Sequence, residues 1–238
     1  MYSPHNKKYK NELLRRLSEE DLALVEPDLV RCELPLRMML ERRNAPIEFV
    51  YFLEDGIGSI VAKMPMGRDT EVGLIGFEGM TGTALVFGDD QSTHECYVQL
   101  AGEAHRLPVD QLRSALSQSA TLRPFLLRYV QALFIQTSYT ALVNARSKLE
   151  ERLARWLLMC DDRVAGDRLT ITHEFLAIML GVRRPGVTVA LQILEGKGLI
   201  RANRGEILLR DRNGLIELAD GAYNEPEGEY RRLIGEIG

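Results

Sequence analysis

The amino-acid sequence predicts an α+β fold in three parts: an N-terminal antiparallel β-roll of the jelly-roll type, one long helix, and a C-terminal domain of short helices with a small sheet. Short β-rich runs punctuated by glycine and proline fill residues 32–108, glycine is absent from 122–145, and two helix patterns meet at Gly181. The three parts are placed at residues 1–120, 121–146 and 147–238, the last with an acidic C-terminal tail.

The composition is that of an ordinary globular protein, with 238 residues of which 45% are hydrophobic and 27% charged. The cysteines Cys32, Cys96 and Cys160 are 64 residues apart at each step, which provides no CxxC pair and argues against disulfides. No apolar stretch follows the basic N-terminus, and polar residues interrupt the most apolar run, 125–143. We therefore expect a cytoplasmic protein that does not bind membranes.

The net charge of −4 is distributed unevenly. Residues 1–145 hold 15 basic and 19 acidic side chains, 146–215 hold 13 and 9, and 216–238 hold 2 and 6. Within the basic middle segment, 181–205 contains five Lys or Arg against the single acid Glu195. A basic surface on an acidic protein suggests a polyanion partner at one face, although many charge runs are simply solvated.

The first part begins with a short helical pattern, in which Ser18 and the acidic residues after it form a helix-start signal. Closely spaced turns then favour an antiparallel barrel or sandwich. The predicted strands cover 49–53, 56–62, 71–75 and 96–100.

The second part is one helix of about 24 residues, which is about 36 Å long at 1.5 Å per residue. A small barrel cannot cover this length, so we expect a partner helix from a second subunit and hence a homodimer. The alternative is that both faces of the helix pack within one monomer. The predicted dimer contacts recur near heptad spacing at Leu126, Tyr129, Leu133, Thr140 and Val143. An S-x-x-E capping box at 147–150 opens the next helix and places a hinge at 144–147.

Residues 169–210 are the most informative segment. Thr172 fits the N-cap of a short helix that ends at Gly181, and Pro185 fits the first position of the next helix. The packing side of that second helix carries Val187, Ala190, Leu191 and Leu194. Two short helices joined at a glycine form a helix-turn-helix, whose second helix inserts into the major groove of DNA.

The outward residues suit contacts with DNA, because arginine can bridge guanine O6 and N7, glutamine can read adenine and threonine can bond phosphate. Gly186 would let the backbone approach closely, and a β-hairpin with Arg204 at its tip forms a wing. The alternative is a helical hairpin with a small sheet and solvated arginines. The predicted DNA-binding residues are Thr172, His173, Arg183, Arg184, Gly186, Thr188, Gln192 and Arg204, with Val189 also pointing outward.

The order of these features resembles the Crp/Fnr family of bacterial transcription regulators over nearly the whole chain: a glycine-punctuated β-roll around 51–56, the long helix, the capped helix at 151–154, and a winged motif ending at 194–200. The resemblance implies a cyclic-nucleotide-binding-type sensor domain, a homodimer built on the long helix, and a two-fold-related operator in double-stranded DNA, with RNA polymerase as a further partner to consider. Arg184 coincides with a base-reading arginine of the family. The family's usual glutamate and second arginine are replaced by Pro185 and Val189.

The resemblance also locates an effector site, at Gly82, Thr83, Thr93, His94, Thr137 and Ser138. Cyclic AMP is disfavoured there, because Thr83 replaces the expected glutamate and no arginine lies between Arg68 and Arg106. Without a cation a buried phosphate would lose its main partner, and Glu95 would repel it. Thr137 and Ser138 match a pair that contacts the base in cyclic-AMP-responsive members. The pair is either a remnant or serves a different small ligand, and the small-molecule effector is unknown.

Other cofactors find little support in the sequence. An iron-sulfur cluster needs about four clustered cysteines, and haem would have to rely on His94 or Cys96 alone. His94 and His105 lack the spacing of a metal-binding HxH pair, and no nucleophile-base motif emerges. We therefore expect no cofactor and no enzyme activity. The second hypothesis is a ligand-binding or protein-interaction module that has lost DNA binding, and an enzyme that uses the β-roll pocket is the third.

Overall fold

The computed structural model describes residues 8–64, 69–164, 166, 168–203 and 205–236. Contacts between Cα atoms divide the chain into two compact units. The first consists of Met1–Ile60, Leu74–Phe134 and Tyr230–Gly238, and the second of Val61–Gly73 and Ile135–Glu229.

The N-terminal strands form a β-roll of two sheets, with the strand orders β1-β7-β3 and β2-β6-β4-β5. Antiparallel pairing joins β7 to both β1 and β3, and joins β2 to β6. All four predicted strands are present within one residue of their expected bounds, which confirms the α+β class. The strands are β1 (Val30–Leu34), β2 (Met39–Glu41), β3 (Phe49–Leu53), β4 (Ile57–Ala62), β5 (Thr70–Ile75), β6 (Glu95–Leu100) and β7 (Gly102–Pro108).

Strand β3 shows how the alternation of side chains builds the core of the first unit. Val50 and Phe52 belong to one buried apolar cluster, whereas Tyr51 and Leu53 belong to another. Successive side chains of a strand point to opposite faces, so both faces of β3 are covered. The first cluster also receives helices of the same unit: α1 (Glu12–Arg16), α2 (Glu19–Val25), α4 (Val109–Gln118) and the start of α5 (Leu122–Arg146). A short helix, α3 (Thr83–Phe87), follows β5.

The long helix is present as predicted, but the predicted dimer contacts on it need correction. Leu126 and Tyr129 are buried in the core of their own unit, and Val143 is buried as well. Leu133 and Thr140 are half-buried. The predicted stripe is therefore the inward face of α5. Large apolar side chains that are exposed on this helix are instead Leu127, Phe134 and Leu142.

The described residues of the second unit form a small sheet and further helices, the last of which continues into the first unit. The sheet has the antiparallel order β8-β10-β9. Helix α6 begins one residue later than predicted, because Lys148 is its N-cap and donates its backbone N–H to Glu151 Oε2 at 2.9 Å. The elements are α6 (Leu149–Asp161), β8 (Arg168–Thr170), α7 (His173–Met179), α8 (Arg184–Gly196), β9 (Ile200–Asn203), β10 (Glu206–Leu209), α9 (Arg212–Leu218) and α10 (Glu225–Leu233).

The C-terminal segment differs from the predicted acidic tail. It forms α9 and α10, and its last residues, Tyr230–Gly238, belong to the first unit. There Tyr230 and Ile234 are buried in the apolar cluster, Tyr230 donates its hydroxyl to the Glu78 carbonyl at 2.7 Å, and Arg128 Nε donates to the Leu233 carbonyl at 3.1 Å. The apolar residues among the acids therefore anchor this segment.

Among the described residues, no single helix has the length and apolarity that crossing a membrane requires. The pair α7 and α8 meets that criterion only when taken together, and the two helices are bent by 100° relative to each other.

Candidate DNA-binding site

Helices α7 and α8 form the predicted helix-turn-helix. The Thr172 hydroxyl caps α7 by accepting the backbone N–H of Phe175 at 3.3 Å. The turn contains Gly181 with φ of 61°, and Val182 N donates to the Ala177 carbonyl at 2.9 Å. This left-handed residue ends α7 as the sequence predicts. The angle of 100° between the helices lies in the range of about 90–120° that is typical of the motif.

Helix α8 has one buried side and one exposed side. Its buried residues are the four predicted from the sequence: Val187, Ala190, Leu191 and Leu194. Arg183 is the N-cap, and Pro185 occupies the second position of the helix rather than the first. The exposed residues at its N-terminal half include Arg183, Arg184, Pro185 and Val189, and Gln192 follows on the next turn.

A groove of about 480 Å³ collects most of the predicted contact residues. It is lined by Thr172 and His173 from the start of α7 and by residues from α8 and the sheet. Five of the eight predicted DNA-binding residues meet there: Thr172, His173, Arg184, Thr188 and Gln192. The groove also contains Glu195 and Asn203, which the sequence did not single out.

Hydrogen bonds fix the floor of this groove. Thr188 Oγ1 donates to the Arg184 carbonyl at 3.3 Å and lies 3.3 Å from His173 Nδ1, which connects α8 to the first residue of α7. Glu195 Oε1 accepts the backbone N–H of Ala202 at 2.8 Å and so connects α8 to the hairpin β9–β10. An acidic residue near the C-terminal end of a helix opposes the helix dipole, and that position is a sequence signal that Glu195 has a specific partner.

The charge at the start of α8 favours an anion. Arg183 and Arg184 are exposed, and neither guanidinium forms an ion pair within the part of the chain that the structure describes. The N-terminal end of a helix carries a partial positive charge that adds to theirs. Two available cations beside a groove with hydrogen-bonding side chains form a surface that suits phosphate and base edges.

Residues 151–218 match the Crp-like helix-turn-helix domain, and these residues include α7, α8 and the wing hairpin. The chain therefore contains a Crp-like helix-turn-helix domain.

Solved structures of Crp/Fnr proteins share this fold. A Crp/Fnr-family transcriptional regulator from Eubacterium rectale is 18% identical, with 86% of this chain and 96% of that chain covered and a TM-score of 0.69. FixK2 from Bradyrhizobium japonicum is also 18% identical, with coverage of 80% and 96% and a TM-score of 0.69. TTHB099 from Thermus thermophilus is 20% identical, with coverage of 80% and 97% and a TM-score of 0.66. No curated protein sequence matches the chain significantly.

Two predicted DNA-binding residues of the Crp-like domain, Gly186 and Arg204, need separate comment. Gly186 is half-buried, and a Cβ atom added there would lie 3.2 Å from Leu149 Cδ2 of α6. The glycine therefore lets α6 and α8 pack closely, and a role at DNA stays a prediction. Arg204 lies outside the described residues.

Helix α6 contacts the end of α7 in the Crp-like motif. Arg152 donates to the Leu180 carbonyl at the end of α7, and Trp156 Nε1 donates to Glu71 Oε1 at 2.8 Å. Burial lowers the pKa of Arg152. Thr70 packs against the turn between α7 and α8, because a Cβ atom added to Gly181 would lie 2.9 Å from Thr70 Oγ1. The β4–β5 hairpin is thus part of the support, which the local sequence pattern did not predict.

The predicted effector residues of the β-roll lie on α3 and on the loop before β6. Gly82 has φ of 74° and precedes Thr83, the half-buried first residue of α3. A Cβ on Gly82 would lie 2.2 Å from Val50 Cγ1, so only glycine fits. The Gly82 N–H donates to Glu41 Oε1 at 2.5 Å. The Glu41 carboxylate thus occupies the Gly82 N–H, at the position where the resemblance to Crp implies a phosphate.

The remaining effector residues lie on different elements, the loop before β6 and helix α5. Thr93 is exposed and its hydroxyl lies 3.1 Å from Nδ1 of the half-buried His94. Thr137 and Ser138 lie on α5, where Thr137 is half-buried and Ser138 is exposed. Their common role stays a prediction.

Proposed function

We propose that the chain binds double-stranded DNA as a homodimer, with α8 in the major groove of each half of a two-fold-related operator. The observation that carries this proposal is the groove that joins five predicted contact residues beside the two exposed arginines at the start of α8. N-terminal residues of a recognition helix read base edges, while surrounding polar groups hold the phosphates. Half-sites are expected about 34 Å apart, one turn of DNA.

The DNA-binding test measures fluorescence anisotropy of duplexes chosen by selection from random DNA. Replacing Arg184 with Ala should cost about 1–3 kcal/mol of binding free energy and relax specificity at one base pair. Replacing Arg183 with Ala should weaken all sequences alike and reduce the log-log salt slope by about 0.9, the loss of one phosphate contact. Arg31→Ala is a matched control, because Arg31 is an exposed arginine of the first unit. Binding without salt dependence, or an effect of Arg31→Ala equal to that of Arg184→Ala, would contradict the proposal.

The homodimer in this proposal uses the outward face of α5. Residues 127, 131, 134, 138, 141 and 145 are all exposed and follow the alternating spacing of four and three that defines a coiled-coil seam. Phe134, whose side chain is 64% exposed, lies at the middle of this seam. The apolar residues of this seam are Leu127, Phe134, Ala141 and Ala145, and burying them against a second copy removes apolar surface from water.

Phe134→Glu should therefore shift the molar mass measured by light scattering from dimer to monomer. Phe87→Glu is the matched control, since Phe87 of α3 is 69% exposed and lies outside α5. Dissociation by both variants, or by neither, would argue against this seam.

A signal received at the β-roll completes the proposal, and cyclic AMP is not expected to be that signal. Residues 69–105 contain no Lys or Arg, and Glu41 already accepts the Gly82 N–H. A phosphate brought to this position would meet the Glu41 carboxylate, and residues 69–105 would provide no compensating cation. A ligand that binds only the folded state must raise the thermal midpoint, so cyclic AMP at millimolar concentration should leave Tm unchanged. A concentration-dependent rise would overturn this part of the proposal.

A further inference from the structure

Helix α8 carries an apolar patch that the fold does not use. Val189 is 54% exposed, whereas four other apolar residues of this helix are buried and Ile193 is half-buried. Pro185 is also exposed and lies four residues earlier, which places it next to Val189 on the helix surface. The patch consists of these two residues.

Helix formation gives no reason for a valine at this position. A β-branched side chain loses χ1 freedom in a helix, and its propensity is lower than that of alanine or leucine. An exposed valine also gains little from packing. The residue is therefore unfavourable for the folded monomer, and contact with another molecule would explain its presence.

The neighbours of the patch indicate which molecule that is. Arg184 precedes Val189 by five residues, about 7.5 Å along the helix, and Gln192 follows it by three, about 4.5 Å. Both are exposed polar residues that can read guanine and adenine respectively. Because α8 carries polar groups on both sides of the patch, the patch would face base edges when the helix lies in the major groove.

The major groove presents one apolar group that suits such a patch. Guanine, adenine and cytosine present polar donors and acceptors there, whereas thymine adds its C5-methyl group. Polar edges placed against Val189 would lose hydrogen bonds to water without replacement. A thymine methyl would bury apolar surface on both sides.

We infer that Val189, supported by Pro185, is a specificity-determining residue that contacts a thymine C5-methyl group. The thymine lies within about two base pairs of the base read by Arg184, since 7.5 Å along the helix corresponds to about two base steps of 3.4 Å. This inference rests on the proposed DNA-binding function. It goes beyond that function by naming the chemical group that the second turn of α8 recognises.

The test replaces single thymines of a selected operator with deoxyuridine, which keeps every hydrogen-bonding atom and removes only the methyl group. One thymine in each half-site should show a loss of affinity of about fourfold, the value of one buried methyl or methylene group. Replacement in both half-sites should cost about 15-fold, because the two contacts are equivalent. The same replacements are then measured with Val189→Ala and with Arg184→Ala.

The expected pattern is specific to the variant. Val189→Ala should abolish the deoxyuridine effect at that thymine, and Arg184→Ala should retain it. The Val189→Ala protein should bind the thymine and deoxyuridine duplexes with equal affinity. Its thermal midpoint, measured by circular dichroism, should equal that of the unaltered protein.

The results separate two kinds of failure. If the unaltered protein selects DNA but no thymine shows methyl dependence, or if Val189→Ala keeps that dependence, the inference about Val189 is overturned while the proposed function stands. If no duplex is selected at all, the proposed function fails and the inference falls with it.

Discussion

The Glu195 carboxylate accepts the backbone N–H of Ala202 at 2.8 Å, which connects the last turns of α8 to strand β9 of the wing. Seven residues separate the two groups, and the tight turn containing Gly198, with φ of 74°, lies between them. The groove described above is therefore bounded by a recognition helix and a hairpin that share a hydrogen bond, and its shape depends on this link.

Replacing Glu195 should separate the role of the hydrogen bond from the role of the charge. Glu195→Ala removes both the acceptor and the negative charge, whereas Glu195→Gln keeps an oxygen acceptor. Amide hydrogen exchange at Ala202 should accelerate in Glu195→Ala by roughly fivefold, as a bond of about 1 kcal/mol is lost, and should change much less in Glu195→Gln. Equal acceleration in the two variants would show that the carboxylate charge, and not the hydrogen bond, holds the wing.

The helix-turn-helix was predictable because its signals are local. Thr172 as a cap, Gly181 in the left-handed region and Pro185 in the first turn each act within a few residues of their own position. The buried face of α8 follows from helical periodicity alone. None of these signals depends on distant parts of the chain, so the structure confirms them with a shift of one residue at most.

The dimer contacts could not be assigned from the same kind of pattern. Helix α5 carries two apolar stripes, one through Leu126 and Tyr129 and one through Leu127 and Phe134. Periodicity shows that a face is apolar but not which molecule covers it. Leu126 and Tyr129 of the predicted stripe belong to the core of their own unit.

Long-range contacts explain the other differences. The assignment of Val61–Gly73 to the second unit depends on Thr70 and Glu71 meeting residues about a hundred positions later. The sequence predicts an acidic tail at the C-terminus because six acids dominate the charge of this segment. A usable signal was present in the spacing of four between Tyr230 and Ile234, which places both on one helix face.

The hydrogen bond between Trp156 and Glu71 predicts a measurable contribution to stability. Both side chains are buried. Glu71→Ala should leave the indole N–H without its acceptor and lower the free energy of unfolding by about 1–3 kcal/mol. Because the sequence contains one tryptophan, intrinsic fluorescence during urea unfolding reports directly on this environment. Glu33→Ala, at an exposed position of β1, should change the free energy of unfolding by less than about 0.5 kcal/mol. Similar losses in both variants would contradict a specific role for the Glu71 bond.

The packing of the C-terminal segment predicts that a smaller side chain at Tyr230 destabilises the first unit. Tyr230→Ala removes a buried aromatic ring and should lower the free energy of unfolding by about 3–5 kcal/mol. Tyr230→Phe keeps the ring and loses only the bond to the Glu78 carbonyl, at a cost of about 1 kcal/mol. Denaturant unfolding followed by circular dichroism measures both. A Tyr230→Ala protein as stable as Tyr230→Phe would mean that the ring is not packed as described.

Burial of tyrosines also predicts a loss of stability in alkaline solution. Burial raises the pKa of Tyr230 well above its ordinary value, and burial together with Asp162 raises the pKa of Tyr223 as well. The pKa of these tyrosines is higher in the folded chain than in the unfolded chain, where it is about 10. Below pH 10 both states are protonated, so the free energy of unfolding does not depend on these groups. Above it the unfolded chain releases protons that the folded chain retains, so the free energy of unfolding falls by up to about 1.4 kcal/mol per pH unit for each such group.

Denaturant unfolding at a series of pH values from 8 to 11 measures this slope. Tyr230→Phe removes one of the responsible groups, so its stability should fall less steeply above pH 10 than that of the unaltered protein, although it is lower at pH 8. The sign follows from proton counting, because phenylalanine has no proton to release in the unfolded state. Parallel curves for the two proteins would show that the Tyr230 hydroxyl ionises as readily in the folded chain as in the unfolded one, which its buried bond to a carbonyl should prevent.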